Sequence, residues 1–205
     1  MPLFDIELDY IRNLDEVGLP ELVYQIMFYE VSKLNLLNQG LNISLNTKTA
    51  DGGSDGEFIN FDKPVPSNHN FLSNKSIIFQ FKAAIVGDKA WLEKELLNKT
   101  ELKPKLNDLI SKGYSYYLIT SKTDLPAKNI EQKEDYLKEI FQEKGYPDVE
   151  VKIITATKLR EWASTIPQIF LRLNPDTTYF DRFEMYEQVI NQQSQDIEYV
   201  NDEKR

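Results

Sequence analysis

The chain predicts an α/β fold, a central mixed β-sheet flanked by helices. Three observations carry that prediction. An apolar stripe at helical spacing follows Leu19-Pro20-Glu21. A group of short runs with strand character then occupies roughly residues 41–84, and from about residue 88 helical and strand patterns alternate. Strands separated by helices build sheets covered on both faces.

Residues 3–17 mix acidic and apolar positions and read as a short leading segment or helix. Pro20 in a first turn marks a helix start, and Leu22, Val23, Ile26, Met27, Phe28 and Val31 continue its stripe to about Leu37. Glu30 falls within the span of that stripe, next to Tyr29, and reads first as an exposed acid at its edge. Leu41–Leu45 alternates apolar and polar, the period of a strand. Asp51-Gly52-Gly53-Ser54-Asp55-Gly56-Glu57 is a tight carboxylate-rich turn, followed by a short strand candidate at Phe58–Phe61. Residues 62–75, rich in Pro and Asn, form a loop holding His69, the chain's one histidine, for which solvent exposure is the simpler reading.

Ile77–Ala84 predicts a buried strand on which Gln80 and Lys82, at i and i+2, share a face. Buried strands avoid lysine unless it is paired or working. Residues 88–112 read as helical with a break near Pro104 and a C-cap at Gly113. Tyr114–Thr120 is a central strand, about 129–144 a helix ended by Gly145, and Val149–Ile154 another strand. Lys158–Ser164 is a short helix containing Trp162; Ile166-Pro167 breaks it and an apolar run continues to Leu173.

Composition narrows the function. The 205 residues are 41% hydrophobic and 12% aromatic, enough for one packed domain. Cysteine is absent, which excludes disulfides, zinc–thiolate sites and thiol nucleophiles. No apolar stretch approaches the roughly 18 residues that span a bilayer, and the acidic start (Asp5, Glu7, Asp9) lacks a basic signal-peptide region. A cytoplasmic protein without a membrane partner is the expectation. The net charge of −9 argues against nucleic-acid binding by a broad basic surface. That charge is uneven: residues 176–205 carry −5 and residues 1–175 only −4, which leaves room for a local basic groove. Lys75, Lys89, Lys94, Lys122 and Lys128 are its candidates, each also readable as a solvated surface lysine.

A carboxylate turn feeding a strand that aims an amide and an ammonium one way suggests a metal site with a cationic helper. A hard divalent ion such as Mg²⁺ takes oxygen ligands, and one or two carboxylates plus substrate phosphate suffice. The fitting chemistry is phosphodiester hydrolysis. Asp55, Gln80 and Lys82 supply its parts, with Asp51, Glu57 or Glu30 as further oxygen ligands. A calcium loop competes, because Asp51, Asp55 and Gly56 fall at EF-hand positions one, five and six, but Gly53 and Asp62 stand where further ligands belong.

An Asp at the turn followed by Gln-x-Lys on the next buried strand resembles the PD-(D/E)xK nuclease superfamily. The pattern Asp-Gly-Gly-x-Asp-Gly then Phe-Gln-Phe-Lys is most similar to its Mrr-like restriction endonuclease branch, in which Gln replaces the usual Glu. Tyr117–Thr120 and Leu159-Arg160-Glu161-Trp162 resemble the N-terminal nuclease domains of bacterial anti-phage effectors. The likeness covers roughly residues 19–173.

The resemblance implies a restriction-endonuclease-like core over residues 1–175. It further implies Asp55, Gln80, Lys82 and Glu30 as catalytic residues and DNA as substrate, while the residues themselves make Asp55, Gln80, Asp51 and Glu57 available to Mg²⁺ or Mn²⁺. Residues 176–205 are then an acidic helical or linker extension leading to a missing C-terminal sensor region, through which, or through itself, the chain forms a homo-oligomer. The long Pro/Asn loop and the acidic surface depart from the family pattern. They leave a second expectation, a catalytically silent nuclease-fold docking module.

Overall fold

The structure, a computed structural model, describes residues 6–34, 40–44, 54–60, 65 and 71–173. Asp51, His69, most of the Pro/Asn loop and the 175/176 boundary lie outside them. The chain divides into two units, Glu7–Trp162 and a second made of Met1–Ile6 with Ala163–Arg205. The described part of the second unit is short and contains one helix, Pro167–Leu173 (α7).

The larger unit begins with α1 (Leu8–Arg12) and α2 (Gly18–Lys33). The Asp15 carboxylate accepts the Gly18 and Val17 N–H groups at 2.7 and 3.1 Å, satisfying donors that the first turn of α2 leaves open. Most of the helix stripe is as expected, since Leu22, Val23, Ile26, Met27 and Val31 are buried, but Phe28 is exposed and lies off the covered face, and Leu37 falls outside the described residues.

Next come β1 (Leu41–Ile43), β2 (Gly56–Phe58) and β3 (Ile77–Lys82). The second strand starts two residues before the expected Phe58, so Glu57 belongs to a ladder and not to the turn. It lies opposite Asn42 on one side and Ile78 on the other. A Cβ on Gly56 would meet the Asn42 carbonyl at 3.1 Å, so close strand approach explains this glycine.

The predicted 88–112 helix is corrected. It is α3 (Lys89–Leu96), then a hairpin of β4 (Leu97–Asn98) and β5 (Glu101–Leu102), then α4 (Pro104–Ser111). Lys99 takes a positive φ of 61° to close the hairpin, a conformation that residue identity alone does not announce. Gly113, at φ 85°, follows α4 as expected of a C-cap glycine.

The chain continues through β6 (Ser115–Thr120), α5 (Ala127–Glu143), β7 (Val151–Ile154) and α6 (Ala156–Ala163). The five-stranded sheet runs β1-β2-β3-β6-β7, antiparallel through β3 and parallel from β3 to β7. The mixed sheet flanked by helices is therefore as expected.

On one face Ile78, Tyr116, Leu118, Val151 and Ile153 meet the apolar sides of α3, α4 and α5. Strand alternation puts Gln80 and Lys82 on this face too. Helix α2 contacts β1 and β3 but contributes nothing to that cluster. Among the described residues no helix is long and apolar enough to cross a membrane.

Candidate functional site

The site is built where β3 and β6 run out in parallel, with Gln80 beside Leu118 and Lys82 beside Thr120. Crevices outside the carboxyl ends of parallel strands are common ligand positions. Gln80 is 3% exposed, so both ends of its amide need partners. Its Nε2 donates to Glu95 Oε2 at 2.7 Å, and its Oε1 accepts from the Tyr116 hydroxyl. Burial pushes the Tyr116 phenol well up, and the charges of Glu95 and Asp55 push the same way. The hydroxyl stays protonated, which is what donation to Oε1 requires.

Lys82, whose side chain is 29% exposed, places Nζ 2.7 Å from the same Glu95 oxygen, and Glu95 is itself 12% exposed. One carboxylate thus gathers the amide and the ammonium of the Gln-x-Lys pair. Asp55 joins from the start of β2. Its Oδ2 accepts the Phe81 N–H at 2.6 Å, and its own N–H donates to the Phe79 carbonyl at 2.9 Å. The side chain takes a ladder position that a backbone carbonyl would otherwise fill, which fixes the carboxylate at the strand end. A cleft of about 210 Å³ lies against Asp55 and Lys82, walled by Glu16, Leu19, Pro20 and Ala83 among others. A larger cavity of about 720 Å³, between α5 and β7, contains none of the predicted residues.

Asp55, Gln80 and Lys82 are therefore neighbours. Glu57 is not grouped with them. Glu30 is 7% exposed, which corrects its reading as an exposed acid, and its Oε1 accepts the Trp162 indole N–H at 3.0 Å. Glu57, opposite Ile78, lies about 13 Å from Lys82 measured along β3 at some 3.3 Å per residue. Its charge acts instead on Tyr114 and Lys112.

Two residues went unpredicted. Glu95 sits in the run Glu93-Lys94-Glu95, where nothing in the spacing separates a working acid from a solvated helix face. Lys103, just before Pro104, is partly buried, and burial pushes its ammonium down. Of the groove lysines, Lys75 donates to the Asp148 carbonyl, Lys89 lies over the Tyr136 ring, and Lys94, Lys122 and Lys128 are exposed.

The donor set is two carboxylates, Asp55 and Glu95, and one amide oxygen. Their charges act together on both the Tyr116 hydroxyl and the Lys103 ammonium. Among the described residues no three Asp, Glu, His or Cys side chains converge as a metal cage. Mg²⁺ does not need one, since it keeps several waters and shares substrate phosphate oxygens. The residues present fit such an ion.

Comparison with family models, curated proteins and solved structures returned no match. The fold and site thus define the chain as an α/β protein whose mixed five-stranded sheet carries a partly buried Gln–Glu–Lys cluster beside an anchored aspartate.

Proposed function

We propose that this chain is a metal-dependent endonuclease that hydrolyses phosphodiester bonds of DNA, with Mg²⁺ or Mn²⁺ held by Asp55, Glu95 and the Gln80 amide oxygen. The observation that supports it best is the meeting of Asp55, Gln80, Lys82 and Glu95 at the ends of β2 and β3. When bound, the ion supplies an activated water and neutralises phosphate charge. The protein's own part is positional. Phe81 N–H holds Asp55 in one orientation, Tyr116 fixes the Gln80 amide, and Lys82 turns from Glu95 to a phosphate oxygen, where its charge opposes the transition-state dianion.

Glu95 extends the Asp/Gln-x-Lys resemblance, because it returns a second carboxylate to a site whose strand carries Gln. Roles for Asp51, Glu57 and Glu30 rest on the sequence pattern, and a place in anti-phage defence and assembly into oligomers on the resemblance alone.

Plasmid nicking and linearisation with Mg²⁺ or Mn²⁺ at low salt tests the reading. Wild type is expected to cut, and Asp55→Ala and Lys82→Ala to lose cutting by about a hundredfold or more. Cleavage that survives both substitutions overturns the assignment. The closed Lys82–Glu95 pair also suits a silent docking module, and a wild type that binds oligonucleotide without cutting under any metal favours that second reading.

A further inference from the structure

The cation count of the site is larger than the Gln-x-Lys pair provides. The hairpin between α3 and α4 folds the chain back, with Leu97 opposite Leu102, so that Lys103 N–H bonds the Leu96 carbonyl at 2.9 Å. Lys103 is thereby fastened next to Glu95 in space while eight residues away in sequence. The charged groups acting on its ammonium are Glu95, Lys82, Asp55 and Lys94, drawn from α3, β3 and the start of β2.

Lysine usually leaves its head in water or takes a carboxylate when its stem is covered. Lys82 has taken Glu95. Lys103 is partly buried, yet among the described residues it makes no ion pair within 4 Å. Among the described residues its burial is therefore offset only at longer range, by the charges of Glu95 and Asp55. With Lys103 counted, two lysines balance Asp55 and Glu95, and the site can take a divalent ion together with phosphate without a large excess of either sign.

We infer that Lys103 is a second substrate-contacting cation, which donates to a phosphate oxygen of the nucleic-acid backbone next to the scissile bond. It explains how a chain of net charge −9 engages a polyanion, through two lysines placed at the site and not through a broad basic face. The inference rests on the endonuclease reading and adds a contact that the Asp/Gln-x-Lys pattern does not contain.

The test is steady-state cleavage of a labelled duplex oligonucleotide in Mg²⁺ over a salt series, comparing wild type, Lys103→Met, Lys103→Arg and the exposed control Lys138→Met. Lys103→Met is expected to raise KM about tenfold or more. It should also lower the slope of log(kcat/KM) against log salt by about one. Lys103→Arg should restore most of both, Lys138→Met should match wild type, and urea midpoints should coincide. A Lys103→Met protein with wild-type KM and salt slope overturns the inference while the nuclease reading stands. A wild type that cuts no phosphodiester probe removes both together. Should Lys103→Met fail to fold, Lys103→Gln carries the same readout with a polar head and no charge.

Discussion

Glu95 bonds two groups through a single oxygen, and its replacement separates catalysis from folding. Glu95→Gln keeps the size and an acceptor for the Gln80 amide but removes the charge that faces Lys82. Metal-dependent cleavage is expected to fall by about a hundredfold, with circular dichroism unchanged; wild-type rates would take Glu95 out of the mechanism. Asp15 gives a second prediction at this scale. Hydrogen bonds from the Gly18 and Val17 N–H groups hold its carboxyl below the ordinary value of 3.8. A depressed folded pKa contributes stability that is present above the unfolded value and lost as pH falls through the folded one. Acid unfolding of Asp15→Asn should therefore show a shallower decline below about pH 4 than wild type. Equal slopes would sink the capping role.

Among the elements, the α2–α6 contact and the α3–α4 hairpin are the most informative. Trp162 donates to buried Glu30 and stacks on Phe71 with ring centroids 4.2 Å apart. Trp162→Phe keeps an aromatic ring for the stack and deletes the donor, so urea unfolding should register a loss of about 1–3 kcal/mol. A change below about 0.5 kcal/mol, the usual size of a neutral surface substitution, would mean that the bond contributes little. In the hairpin, Lys99 holds a left-handed backbone that disfavours any side chain. Lys99→Gly should raise stability by about 1 kcal/mol, read as a higher melting temperature. The helical reading of 88–112 missed this hairpin because Leu96 and Leu97 continue the stripe of Trp91 and Leu92, and no glycine marks the turn at Lys99.

Over the whole molecule, β6 is the hub of the sheet, paired in parallel with β3 on one side and β7 on the other. All six of its residues are buried. Leu118 sits mid-strand beside Gln80, in the layer that α3–α5 cover. Leu118→Ala should cost about 2–5 kcal/mol, because a void between sheet and helices cannot collapse freely. Cleavage per folded molecule should persist if the site is held by its hydrogen bonds. A loss of cleavage larger than the loss of folded protein would show that the cluster depends on core packing as well.

The α/β class, most of the long helix stripe, the central strands and the placing of Gln80 and Lys82 on one face were legible in the order of the residues. These follow from periodicity and turn chemistry, which are local. The association of an Asp-bearing turn with a Gln-x-Lys strand came from their order along the chain and from the family resemblance. Only the folded arrangement shows that Glu95 reaches that pair and that Glu57 does not. It also shows that Glu30 is buried against Trp162, 132 residues away, and that the hairpin brings the Lys103 backbone back onto the end of α3. Charged residues on a helix look alike in sequence. What separates them is which face the core takes up, and only the packing of α3 over the sheet makes that choice.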